Sequence, residues 1–195
     1  MGQEIKKWKK GTMRREKPKR IGDFGVARDD YISDIVLMTE YDHHFFMEAA
    51  FKEALIAFEE LEVPVGAVVV KEGKIIGRGH NRTEALKDAT AHAEMLAITS
   101  AAEKVGDWRL DDCILYCTIE PCAMCAGAAV LSRIKTIVFG AHDSRFGACG
   151  SIFEIPTEKR LNHRIEIISG VMEKEALELM QNFFQEVRKR KEKMN

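Results

Sequence analysis

Between Val65 and Ile168, short β-branched runs alternate with stretches of helical period, and this alternation constrains the fold more than any other feature of the chain. Val65-Gly66-Ala67-Val68-Val69-Val70 and Ile75-Ile76-Gly77 flank Lys71-Glu72-Gly73-Lys74, which predicts a hairpin turning at Gly73. Ile114-Leu115-Tyr116-Cys117-Thr118 and Thr136-Ile137-Val138-Phe139-Gly140 carry no alternation of polar residues, as expected of strands buried on both faces. Ile165 to Ser169 predicts a final strand. Helical period appears first from Phe45, where Met47, Ala50, Phe51, Ala54, Leu55, Phe58 and Leu61 share a face and Glu48, Lys52, Glu53, Glu59 and Glu60 face away. It returns near His92, with Thr90 as the expected cap, again over the small residues Ala123 to Val130, and finally from about Glu173. In the last helix Ala176, Leu177, Met180, Phe183, Phe184 and Val187 form the apolar face and Arg188-Lys189-Arg190-Lys191 a basic end. Strands and helices in this order predict an α/β domain of three layers, α/β/α, whose central sheet is mixed because it opens with a hairpin.

A chain of 195 residues suits one such domain. No apolar run approaches the roughly 18–20 residues that span a bilayer, and no apolar segment follows the charged N-terminus as in a secretory signal. The net charge of −1 conceals an asymmetry: residues 1–20 hold nine Lys/Arg against two Asp/Glu, which leaves 21 against 29 in the rest. Residues 1–37, basic and then acidic, keep no helical or strand period, so they are expected to be a disordered N-terminal extension. Met38 precedes the first clear element, and the domain is expected to occupy residues 38–195, with the upstream part either a tail or an overlong gene start.

Five cysteines, an odd count without an export signal, argue for a reducing compartment and against a disulfide framework. Cys113 and Cys117 fall on a buried run, as core residues do, whereas Cys122 and Cys125 open a predicted helix behind Pro121. Thiolates at that spacing aim both sulfurs at one point, and the helix start favours their negative charge. His92, at another helix start, adds an imidazole, giving three ligands and one open position, the pattern of a catalytic zinc site. Glu94, two residues on, stands where a carboxylate can move protons to and from a metal-activated water. A purely structural zinc would call for a fourth protein ligand, and no further Cys or His stands at suitable spacing.

His92-Ala93-Glu94 with Pro121-Cys122-Ala123-Met124-Cys125 resembles the signature of zinc-dependent nucleoside and nucleobase deaminases. The likeness extends over Val63 to Val68, Thr90 to Glu94, Glu120 to Ala128, Ser132-Arg133-Ile134, Val138 to Ala141 and Asn162-His163-Arg164, from Tyr41 to about Arg190. These segments resemble the bacterial tRNA-specific adenosine deaminases. The resemblance implies a cytidine-deaminase-like fold and hydrolytic conversion of adenosine to inosine at the wobble position of a tRNA anticodon. It also implies one zinc ion per subunit on His92, Cys122 and Cys125, activating water for attack at C6, with Glu94 as proton shuttle. Asn81 matches the asparagine that bonds the base and its sugar, and Asp143 a loop residue beside the flipped nucleotides, between His142 and Ser144. Phe184 and Arg188 on the last helix would flank the RNA. The expected partners are an anticodon loop, that of tRNA-Arg, and a second copy in a homodimer, and the expected location is cytoplasmic.

Simpler roles suit the remaining histidines: cap or surface for His43 and His44, loop lining for His80, and ordering of the segment before the last strand for His163. Two other functions compete. A deaminase of free guanine or of (deoxy)cytidylate would share the zinc site, but has no use for the basic last helix or the loop from Ser144 to Gly150. A non-catalytic, zinc-stabilised RNA-binding module has no use for Glu94 beside an open metal position.

Overall fold

Gly66–Lys71 (β1) is buried almost throughout, because it lies inside a sheet covered on both faces. In the computed structural model the backbone is described for residues 28–194 and the side chains for residues 43–193. Backbone contacts divide the chain between Leu37 and Met38. The sheet and the candidate site belong to the second unit.

The remaining strands are Lys74–His80 (β2), Ile114–Ile119 (β3), Thr136–Ala141 (β4) and Glu166–Ile168 (β5), ordered β2-β1-β3-β4-β5. β1 runs antiparallel to β2 and β3, while β3, β4 and β5 are mutually parallel, so the sheet is mixed. The hairpin turns on Glu72 and Gly73, both with positive φ, the backbone that a two-residue turn between twisted strands demands.

Strand side chains alternate between two cores. Ala67, Val69, Leu115, Cys117, Ile137 and Phe139 face the helices Ala93–Val105 (α3) and Ala123–Leu131 (α4), packing on Ala97, Ala101, Ala126 and Ala129. Val68, Val70, Tyr116 and Val138 face the helices Arg28–Glu59 (α1) and Glu173–Met194 (α5), packing on Phe46, Met47, Ala50 and Ala176. The result is the expected three-layer α/β/α sandwich. A parallel β3–α4–β4 unit needs its helix to cross one face, and α4 does so. No described helix is long and apolar enough to cross a membrane.

Several elements depart from the sequence reading. The first helix opens at Arg28, not near Phe45. No Pro or Gly interrupts Arg28–Glu59. Residues 1–27 lie outside the described residues. Glu53, expected on the solvent face, is buried, 3.3 Å from both Arg78 and His80. Leu55 and Leu61, expected inward, are exposed. A short helix, Thr83–Leu86 (α2), follows β2.

Close packing fixes the start of α3. A Cβ on Gly79 would lie 2.3 Å from the Ala93 carbonyl oxygen and 2.6 Å from the Ala97 nitrogen. Only glycine lets β2 approach the helix backbone this closely, and the residue it thereby places is the neighbour of Ala93, His92.

Candidate active site

His92 and Cys122 are the N-cap residues of α3 and α4, each with extended backbone (ψ 152° and 174°) that turns its side chain away from the helix. Thr90, the expected cap of α3, instead gives its backbone N–H and hydroxyl to Asp88 Oδ1 at 2.8 and 2.7 Å. Neither true cap makes a side-chain capping bond, so both side chains remain available. Cys125, one turn into α4, is fully buried and completes the group.

His92 Nδ1 lies 3.6 Å from Cys122 Sγ and 3.6 Å from Cys125 Sγ, and the two sulfurs are 3.7 Å apart. Zinc bonds of about 2.3 Å to sulfur and about 2.0–2.1 Å to nitrogen, at tetrahedral angles, separate such donors by about 3.6–3.8 Å. The donor set therefore fits zinc in chemistry and in spacing. Among the described residues it is the only cluster of three or more His, Cys, Asp or Glu ligand atoms that could hold a metal ion.

The electrostatics favour a cation there. The Cys125 thiol, beside Cys122, stabilises the Cys122 thiolate, and with help from His92 it holds Cys122 down to about 4 despite partial burial. Cys125 is raised by the same contact and by burial, so one proton remains between the sulfurs for a metal to displace. His92 is raised, mainly through its contact with Cys122. Burial pushes the Glu94 carboxyl up to about 7, against the opposing pull of His92. A carboxyl near neutrality beside three converging donors is suited to take up and return a proton.

Glu120, immediately before Pro121, is bound by the loop of residues 142–151. It is buried and accepts N–H bonds from Asp143 (3.0 Å), Cys149 (2.9 Å) and Ser151 (3.0 Å) and the Ser151 hydroxyl, with His142 Nδ1 at 3.3 Å. Burial alone would raise its carboxyl, but those bonds together outweigh it and leave the group below the usual carboxylate range. Cys149 and Cys117 are core thiols, pushed up by burial, the former to about 12. His163 Nε2 lies 2.6 Å from the Ile134 carbonyl and orders the segment before β5.

The other residues expected at the site have partners of their own. Asn81 is buried on the loop after β2, which is tied to the segment before His92 by the Arg82 N–H on the Ala91 carbonyl at 3.0 Å. Its amide Nδ2 donates to Glu62 (3.1 Å) and Thr83 Oγ1 (3.2 Å). Asp143 Oδ1 accepts the N–H groups of Arg145 (2.8 Å) and Phe146 (3.3 Å), closing the loop's turn. Phe184 is exposed on α5 and edges onto Phe183, while Arg188 Nε donates to the Phe184 carbonyl at 3.1 Å. Glu62, absent from the expected set, is 1% exposed; at a helix end its charge resembles a solvated residue, and only the polar residues at 81 and 83 hint at its partners.

Thiolate and imidazole donors with an adjacent buried carboxyl, set at helix starts of an α/β/α sandwich, are the parts that a metal-assisted hydrolytic deaminase uses. The MafB19-like deaminase family model matches residues 41–188. The tRNA-specific adenosine deaminase of Bacillus subtilis (strain 168) is 49% identical over 146 residues, which cover 75% of this chain and 91% of that protein. A structure solved in work on A-to-I editing by tRNA:A34 deaminases at the wobble position of transfer RNA superposes with a TM-score of 0.67. It is 43% identical and covers 69% of this chain and 98% of its own. A guanine deaminase from Bacillus subtilis is 42% identical, with a TM-score of 0.50, over 51% of this chain and 64% of its own. The chain belongs to the family of tRNA-specific adenosine deaminases.

Proposed function

We propose that this protein deaminates adenosine to inosine at the wobble position of a tRNA anticodon, that of tRNA-Arg, as a cytoplasmic homodimer with one zinc ion per subunit. The observation that supports this reading is a buried carboxyl, Glu94, that interacts with the three donors His92, Cys122 and Cys125. The likeness in sequence to curated tRNA-specific adenosine deaminases supplies the substrate. His92, Cys122 and Cys125 would hold the zinc ion, which when bound would supply the Lewis acidity that makes water a nucleophile near neutral pH.

The chain's own residues do the rest. The Glu94 carboxylate accepts the proton of the water that attacks C6 and delivers it to ring nitrogen N1. The carboxylate, free again, takes the second proton of the added water from the C6 hydroxyl and passes it to the departing amine, so that adenosine and water give inosine and ammonia. Burial raises the Glu94 carboxyl above the ordinary value, the direction that suits a group which both takes up and returns a proton. Asn81 holds the flipped nucleoside, with Glu62 and Thr83 fixing its amide. An anticodon loop is already partly unstacked, so presenting its wobble base costs less than extrusion from a duplex. Asp143, Phe184 and Arg188 are the proposed contacts to the surrounding RNA, and Arg188 to Lys193 offset locally the acidity of the domain.

The test is inosine formation on a tRNA-Arg anticodon stem-loop with adenosine at the wobble position. Free adenosine, cytidine and guanine run in parallel, with Glu94→Ala as the blank. Conversion of the stem-loop alone, lost in the blank, is expected. Turnover of guanine alone would favour a free-base enzyme instead, and stem-loop binding unaffected by Glu94→Ala with no turnover would favour a binding module.

A further inference from the structure

Glu120 is saturated by donors that all come from one loop. Oε1 accepts the Cys149 and Ser151 N–H groups, and Oε2 the Asp143 N–H and the Ser151 hydroxyl, with His142 Nδ1 beside it. Neither oxygen is left for a substrate, since a carboxylate offers about four acceptor sites. Independent contacts draw the same loop to the metal-ligand turn. Ala148 N–H donates to the Pro121 carbonyl at 2.8 Å, and Gly147 forms a β-bridge with Cys122. The space between is closed: a Cβ on Gly147 would lie 2.4 Å from Glu120 Oε2 and 2.5 Å from the Asp143 carbonyl. Beyond the clamp the tip presents Arg145 and Phe146, the latter 67% exposed on a turn closed by Asp143.

We infer that Glu120 is a positioning residue: it ties the 142–151 loop to the turn carrying Cys122, so that the loop's RNA-facing groups keep a fixed place relative to the metal site. This rests on the proposed function for the statement that the loop, through Asp143, faces RNA. A buried carboxylate costs free energy unless its bonds are complete, so a site that retains one gains a defined loop conformation in exchange. The anticodon then meets a preorganised surface and does not have to order one on binding.

Glu120→Gln tests this, because the amide preserves shape but turns an N–H₂ toward the loop's donors. In the zinc-loaded enzyme, exchange of the Asp143, Cys149 and Ser151 amide protons is expected to quicken about tenfold or more, with β3 unchanged. KM for the stem-loop is expected to rise about tenfold while kcat stays within about threefold, the split expected when uniform binding is lost. The absorption spectrum of the cobalt-substituted variant is expected to match that of the cobalt-substituted parent, which separates loop release from damage to the ligands. Unchanged amide protection, or a fall in kcat at constant KM, would overturn the inference. Should Glu120→Gln fail to fold, Ser151→Ala removes one donor only, and it is expected to give the same pattern at smaller amplitude; no change in KM or amide exchange would equally overturn it. If the parent enzyme makes no inosine on the stem-loop while the amide protection still depends on Glu120, the substrate assignment fails and the tether stands.

Discussion

Asn81 Nδ2 donates to the carboxylate of Glu62 at 3.1 Å, with both residues buried, and the same carboxylate takes the Ala85 N–H at 2.8 Å. Thr83 Oγ1 lies 3.2 Å from Asn81 Nδ2 and 3.3 Å from Glu62. The Asn81 amide nitrogen is thereby held by two acceptors within the protein. The Glu62→Ala variant strands three donors, and it is expected to destabilise the domain by about 2–3 kcal/mol, the range for hydrogen bonds to a charged group. Thermal unfolding checks this: a fall of roughly 5–10 °C is expected for a domain of this size. Catalytic efficiency should fall with it, since the Asn81 amide loses its fixed orientation.

Glu94→Gln keeps the volume of the side chain but cannot accept a proton. Removing a general acid–base costs about 10²–10⁴-fold in rate, so kcat is expected to fall in that range. Metal content should be retained, because Glu94 is not one of the three convergent donors. Cys125→Ser has the opposite signature, losing metal and activity together. Elemental analysis beside single-turnover inosine formation separates the two.

Gly79→Ala places a methyl against backbone, 2.3 Å from the Ala93 carbonyl and 2.6 Å from the Ala97 nitrogen. Backbone cannot rotate aside as a side chain can, so α3 must shift relative to β2. Overpacking of this kind costs about 1–3 kcal/mol. Because His92 is the cap of the displaced helix, weaker metal retention is expected at a temperature where the fold persists. Titration with a zinc chelator measures it, and unchanged retention would separate the position of His92 from the approach of β2 to α3.

The layers, the mixed sheet and the three donors were legible in the sequence because each rests on local pattern. β-branched runs of five residues and thiols three apart at a helix start carry their meaning in their own spacing. Long-range charge pairing carries no such mark. Glu53 looked solvated on its helix, yet it is covered by Arg78 and His80 from a strand more than twenty residues away. Glu62 and Glu120 are likewise ordinary charged residues in the sequence, and only the fold brings their donors to them. Thr90 shows the reverse case: its residue type suits a cap, but Asp88 two residues earlier captures both its donors and the helix begins beyond it.

Acid should act on the fold through Glu120. Its carboxyl sits below the usual carboxylate range in the folded protein, since the bonds from Ser151, Asp143 and Cys149 outweigh burial. In the unfolded chain it returns to the ordinary value, 4.5. The unfolded state therefore binds the proton more readily, and stability falls as pH drops. The contribution is complete above the unfolded value and is lost as pH descends from there through the lower folded value. Glu120→Gln removes that dependence. The difference in melting temperature between the parent and Glu120→Gln is thus expected to be largest above about pH 6 and to shrink as the pH falls below about 4.5. Thermal unfolding of both proteins across this range, with zinc-free samples alongside to separate loss of the metal, checks the sign. A gap that widens toward acid would mean that the carboxyl is protonated in the folded state and donates to the loop.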